Sequence, residues 1–464
     1  MARHAARGSL TAIVRVSILL TLLSAYALAQ GKNPVILIPG LTGSELKHRA
    51  TGKRIWPPSL SISNEEIRLP IVADPLAVQD DLVPGDVVRT VKVGLISVTD
   101  VYGEFVKAMA ARGGYHEETW DKPSEDGYHD SLYVWSYDWR IDNVQNARKL
   151  VRDIEALKAK FKRPDLKFDL VAHSMGGIIA RYAAMYGDAD LPPVGTAPSP
   201  TWAGGADIAN IVQLGTPNEG TTLALSAMLE GYTFGGMRID IPGLPDSSRF
   251  TVFSCPSAYQ LLPAPGTVRV FDDRLQPVNI DIYDPQNWVK YGWSPMTDGS
   301  FGDQFPADER RAAPAFFASS LERARRLQEA LAAAGGKTKV SMFLVGADCS
   351  TVTSDGLIVY QDKSGKWKTL FRPKSITRKD GTELSSDAEK KVLYSAGDGV
   401  VTVRSFETTT QAGAIGAKMV FDTSPTKYIC DEHYKLAANP KIQDYVISAL
   451  AGKIKQPATV GGLR

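Results

Sequence analysis

The sequence predicts an α/β fold, with a mostly parallel β-sheet covered by helices on both faces. Three observations carry this. Short, continuously apolar runs recur along the chain, and stretches of helical apolar spacing alternate with them. In Phe168–Ile178 an apolar run passes through one sharp turn straight into a helix.

Val35-Ile36-Leu37-Ile38, ending in Pro39-Gly40, reads as a buried strand feeding a loop. Residues 41–90 carry many Pro, Gly and Asp and read as irregular. Val101 to Arg112 has helical spacing, Leu132 to Trp135 reads as a buried strand, and Asn143 to Phe161 as a long amphipathic helix. Phe168 to Ala172 is a third strand, Met175 to Tyr186 the helix after it, Ile208 to Leu214 a fourth strand and Lys339 to Val345 a fifth. Lys418 to Phe421 is a last strand candidate, and Tyr434 to Ala451 a final helix.

Two segments break the alternation, 41–90 and 216–335. The second is rich in Gly and Pro, shows one clear helix, Ala313 to Ala334, and holds Trp288, Tyr291 and Trp293, which seek burial. Long insertions of this kind carry lids or substrate surfaces. The 464 residues are therefore read as one α/β domain over 30–464 with cap insertions, rather than the three domains that length alone suggests.

Composition narrows the class. With 44% hydrophobic and 22% charged residues, the chain is globular, which excludes collagen, coiled coil and wholesale disorder. Lys+Arg number 53 against 51 Asp+Glu, so the basic excess of a nucleic-acid binder is missing. Three Cys are too few for a disulfide scaffold or a four-cysteine zinc site. Arg3, Arg7 and Arg15 precede an apolar run from Val16 to Ala27, and Ala27-Leu28-Ala29 has a small-x-small pattern. Residues 1–29 thus read as a signal peptide cleaved after Ala29, and the mature chain as exported, secreted or periplasmic.

Ser174 stands out. Ala172 and Gly176 flank it at two-residue spacing on a strand–turn–helix, the setting of a nucleophile elbow, where larger neighbours would clash. The bland alternative is a serine that caps the helix. A serine nucleophile needs a base. In this arrangement the chain order is Ser, acid, His. Of six His, His4 lies in the leader, while His48, His116 and His129 precede Ser174. The ring of His173, next door on the elbow, is expected to point elsewhere. That leaves His433, just before the last helix. Two acids fit the order: Asp348 after the fifth strand, and Asp398 in Gly397-Asp398-Gly399. Spacing favours Asp398 modestly. The two backbone donors of an oxyanion hole are expected at Met175, after the nucleophile, and at Leu41 in the first-strand loop.

In order along the chain, Pro34–Gly40 with Gly43-Ser44-Glu45-Leu46, Tyr137-Asp138-Trp139-Arg140, Ala172–Gly177, Leu214–Gly220, Gly397–Thr402 and His433 resemble the lecithin:cholesterol acyltransferase family. The resemblance spans nearly the whole mature chain. It implies an α/β-hydrolase core with cap and lid, Ser174 as nucleophile, Asp398 as acid, His433 as base and Leu41 in the oxyanion loop. It also implies that Asp138 and Arg140 form a structural ion pair, and that 221–247 is a lid. Leu223, Leu225, Met228, Leu229, Tyr232 and Phe234, interleaved with Gly231, Gly235 and Gly236, suit acyl contacts there. The chain departs from the family in lacking any Cys between Leu46 and Arg89, and in a Lys- and Arg-rich insertion over Lys363–Lys391. Cys349 and Cys430, near the active-site ends of strands, are placed to pair, which would leave Cys255 free.

The implied chemistry is ping-pong acyl transfer from a glycerophospholipid ester at a membrane or lipoprotein-like surface to water or an alcohol, with no metal or cofactor. The alternatives are a triacylglycerol lipase or general carboxylesterase, and an inactive exported binding protein on the same scaffold.

Overall fold

Eight parallel strands organise the chain in a computed structural model that describes residues 32–57, 67–93, 97–231, 233–234, 237–238, 247–333, 338, 340–378, 380–408, 422–423 and 426–454. In chain order the strands are β1 Val35–Ile38, β2 His116–Glu118, β3 Ser131–Val134, β4 Phe168–His173, β5 Ile208–Leu214, β6 Ser341–Gly346, β7 Asp422–Thr423 and β8 Lys427–Tyr428. Their spatial order is β7-β6-β5-β4-β1-β3-β2, and β8 also pairs with β6. Every pairing is parallel. A parallel sheet is covered on both faces, which is why β1 and β4 are buried along their whole length; β1 reads as an unbroken apolar run, and β4 as one interrupted by Asp169. The register sets Ile38 opposite Ala172 and Leu214 opposite His173. The loops after β1, β4 and β5 therefore leave the sheet side by side.

The helices that bear on the site are α1 Gly103–Ala111, α2 Asn143–Phe161, α3 Met175–Tyr186, α4 Thr222–Glu230, α5 Ser247–Ser254, α6 Pro256–Tyr259, α7 Ala307–Ala332 and α8 Pro440–Leu450. α2 is capped by the Asp142 side chain, which accepts from the Gln145 N–H. α3 is buried all round, as a helix between sheet and covering layers must be.

Several boundaries differ from the sequence reading, for local reasons. Residues 41–57 and 82–87 are not irregular: Ser44–His48, Arg54–Trp56 and Leu82–Val87 form a three-stranded antiparallel sheet. Pro84 and Gly85 inside its last strand hide it from a propensity argument. In the second insertion, α4, α5 and α6 are helices in a stretch that read as loop. α7 begins at Ala307, before Pro314, because burial of Phe316, Phe317, Leu321 and Leu327 offsets the backbone bond the proline removes. The last helix is interrupted: His433–Ala438 is a 3₁₀ turn, and Pro440 starts α8. Lys418–Phe421 and residues 1–29 lie outside the described residues, and β7 and β8 follow that strand candidate. Among the described residues no helix is long and apolar enough to cross a membrane.

Candidate active site

The turn between β4 and α3 is tight. Ser174 has φ 54° and ψ −126°, a conformation that a non-glycine residue holds only when its surroundings impose it. The surroundings are dense: a Cβ on Gly176 would lie 2.6 Å from the Pro39 carbonyl oxygen, and one on Gly40 would lie 2.8 Å from the Ser174 Cβ. The Ser174 side chain makes no capping bond to α3. It is turned instead toward His433.

Ser174 Oγ lies 2.8 Å from His433 Nε2, and His433 Nδ1 lies 2.7 Å from Asp398 Oδ2. A carboxylate only accepts, so Nδ1 carries a proton; in the neutral ring Nε2 is then bare and accepts from the Ser174 hydroxyl. The other carboxylate oxygen of Asp398 accepts from the N–H groups of Val400 (2.9 Å) and Val401 (2.7 Å), which fixes its orientation. The Asp398 carbonyl also accepts from the His433 N–H at 2.9 Å. Asp398 follows a strand, Tyr394–Gly397, that pairs with Cys349–Ser354, and His433 follows β8. Asp348, the other acid the sequence left open, is exposed at the end of β6 and bonds neither of these residues.

The first-strand loop that carries Leu41 abuts the elbow, and Leu41 lines the same cavity as Ser174. Met175 begins α3, so its N–H has no partner within the helix. His173 is not idle: its Nδ1 lies 2.7 Å from the Tyr102 hydroxyl, and its Nε2 lies 3.0 Å from the His433 carbonyl. Burial, with His433 close by, lowers its pKa to about 3, so it is neutral.

Beyond the serine opens a cavity of about 360 Å³. It is lined by Trp56, Ile67, Val88, Val101 and Trp139, and by Leu223, Ala224, Ala227, Val252, Cys255 and Ala258. Leu223, Ala224 and Ala227 share one face of α4. Leu225 and Met228, expected to touch an acyl chain, are fully buried in the core on its other face, because helical spacing turns them away. Leu229 packs partly buried against that core. Tyr232 and the Phe234 side chain lie outside the described residues.

The Asp138–Arg140 pair is part of a larger cluster that the sequence did not reveal. Arg140 is fully buried, and all five of its N–H groups are used. They donate to both oxygens of Asp138, both of Asp80 and the Ile67 carbonyl, at 2.6–3.0 Å. Its neighbours brace the first-strand loop: the Tyr137 hydroxyl donates to the Pro39 carbonyl, and the Trp139 indole to the Ser44 carbonyl. Cys349 and Cys430 form a disulfide, and Cys255 is free and buried.

An uncharacterised Saccharomyces cerevisiae protein is 22% identical over 271 residues, which is 57% of this chain and 34% of that one, so this chain spans about a third of that relative. Among solved structures, that of the Tle4-Tli4 complex is similar at a TM-score of 0.47 and 16% identity, covering 91% of this chain and 98% of that one. The mature form of the Bacillus licheniformis lipase BlEst2 is similar at 0.32 and 12%, covering 91% and 93%. A family model, lecithin:cholesterol acyltransferase, matches residues 83–296, a stretch that takes in Tyr137–Arg140 and Ser174 but not Leu41, Asp398 or His433. Over that stretch the resemblance carried by the sequence motifs to the lecithin:cholesterol acyltransferase family is shown independently.

Proposed function

We propose that this protein is a serine-dependent lipid acyl-ester enzyme, a phospholipase A or O-acyltransferase acting on glycerophospholipids. The observation that carries the reading is the hydrogen-bonded line Ser174–His433–Asp398 opening on an apolar cavity of about 360 Å³, within the range of sites that take small ligands. His433 takes the Ser174 proton as Oγ attacks the ester carbonyl. Asp398 holds the ring and stabilises the imidazolium without taking the proton. The N–H groups of Leu41 and Met175 stabilise the oxyanion. The imidazolium protonates the departing lysolipid. Water or an alcohol, deprotonated by the same ring, then releases the acyl group from Ser174. Water yields a free acid, and an alcohol yields a new ester.

The Cys349–Cys430 disulfide supports an oxidising, extracytoplasmic setting. A triacylglycerol lipase would use the same machinery with another headgroup region. The test is incubation with phosphatidylcholine, triacylglycerol and short p-nitrophenyl esters, each with and without a long-chain alcohol, alongside Ser174→Ala. Acyl release or transfer from phosphatidylcholine, lost in Ser174→Ala, is expected. Turnover confined to short esters would overturn the lipid reading. Absence of fluorophosphonate labelling at Ser174 in folded protein would overturn the enzyme reading.

A further inference from the structure

We infer that His173 and Tyr102 are positioning residues that lock the oxyanion loop and the base loop into one alignment. The inference rests on the reading of Ser174 and His433 as nucleophile and base. Four groups lie in a line. The Gly40 N–H donates to the Tyr102 hydroxyl oxygen at 2.8 Å, that hydroxyl is 2.7 Å from His173 Nδ1, and His173 Nε2 is 3.0 Å from the His433 carbonyl oxygen. The direction of every bond is forced. A carbonyl only accepts, so Nε2 carries the proton of the neutral ring. Nδ1 is then bare, and the Tyr102 O–H must donate to it. Gly40 immediately precedes Leu41, the proposed oxyanion donor, and the His433 carbonyl belongs to the base itself.

Each contact in the line is a direct one between protein groups. Tyr102 is 1% and His173 4% exposed. The rings of His173 and His433 are 4.9 Å apart. When His433 becomes an imidazolium, a charged neighbour at that distance would oppose it, whereas a neutral His173 does not. Its burial keeps it neutral. Removing the Tyr102 hydroxyl would leave the Gly40 N–H and His173 Nδ1 without partners at once, and two loops would be freed rather than one. A displacement of about 1 Å at a reacting group costs on the order of 100-fold in rate.

The test uses the full chain with Tyr102→Phe, His173→Leu, His173→Gln and the double variant Tyr102→Phe/His173→Leu. Expected results are a fall in kcat of roughly 10- to 100-fold in Tyr102→Phe and His173→Leu, with KM within about threefold of wild type. The double variant should be no slower than about threefold below the slower single, because both act through one line. His173→Gln, whose amide can still reach the His433 carbonyl, should recover part of the loss. Unchanged kcat, multiplicative losses in the double variant, or a KM that rises in step with the loss would overturn the inference. Wild-type protein labelled with ¹⁵N-histidine supplies a readout independent of turnover and of variant folding: His173 must be the Nε2–H tautomer at neutral pH, and the Nδ1–H form would overturn it. If wild type does not react with fluorophosphonate, the reading of Ser174 fails; if it reacts and the variants react as fast, only this inference fails.

Discussion

Cys349 lies opposite Gly397 across a strand pair, next to Asp398, and is bonded to Cys430, three residues before His433. One covalent link therefore joins the segment that delivers the acid to the loop that delivers the base. The loop it closes spans 81 residues. Cys349→Ser/Cys430→Ser should lose about 2–4 kcal/mol of stability in denaturant titration. It should also lose ester turnover ahead of global unfolding, when both are followed against denaturant.

Asp398→Asn keeps the shape of the side chain and removes the acceptor that holds the His433 tautomer. Turnover should fall by about 10⁴-fold with the fold intact by circular dichroism. A loss below tenfold would point to another acid. Asp348→Asn, altering an exposed side chain, should leave turnover within about twofold of wild type.

Arg140→Ala leaves the carboxylates of Asp80 and Asp138 facing each other without the cation between them. The cost should be about 3–5 kcal/mol in unfolding free energy. Arg140→Lys should recover only part of it, since three donors on one atom do not match two bidentate carboxylates.

Ala227 faces the cavity from α4. Ala227→Phe should fill that wall and lower the rate on long-chain esters relative to short-chain ones by more than tenfold, with a melting temperature near that of wild type. Equal losses on both chain lengths would mean that the acyl group runs elsewhere.

Asp169, in β4, is buried, and burial raises its pKa to about 6 despite amide donors from Asn33 and Asn210. Below about pH 4 the group is protonated in folded and unfolded chains alike. Between about pH 4 and 6 the folded chain holds more protons, so stability falls as pH rises, and above that window the penalty is constant. Asp169→Asn should therefore gain about 2–3 kcal/mol relative to wild type between about pH 4 and 7. A flat difference across that range would exclude the effect.

The interior of the fold was legible because burial on both faces leaves a plain signature. β5 and α3 begin and end where the sequence pattern places them, although Asn210, Gln213 and Arg181 interrupt their apolar residues. The edge strand β2, His116-Glu117-Glu118, was not legible, because an edge needs no apolar run. Ser174 was legible from its turn, and His433 by the scarcity of histidines. Asp398 needed the resemblance to separate it from Asp348. The contributions of Asp80, Tyr102 and His173 were hidden, since each depends on contacts 60 or more residues away in the chain. The ring next to the serine was expected to point elsewhere. It does turn from the serine, but onto the backbone of the base.

The bond between Ser174 and His433 spans 259 residues of chain. Distant pairings form slowly, because the intervening chain must surrender its freedom first. Hydrophobic collapse and helix formation can therefore be well advanced in a refolding chain that has no reactive serine. Recovered fluorophosphonate reactivity, timed against recovered tryptophan fluorescence, would act as a clock for the moment at which the two halves of the molecule agree.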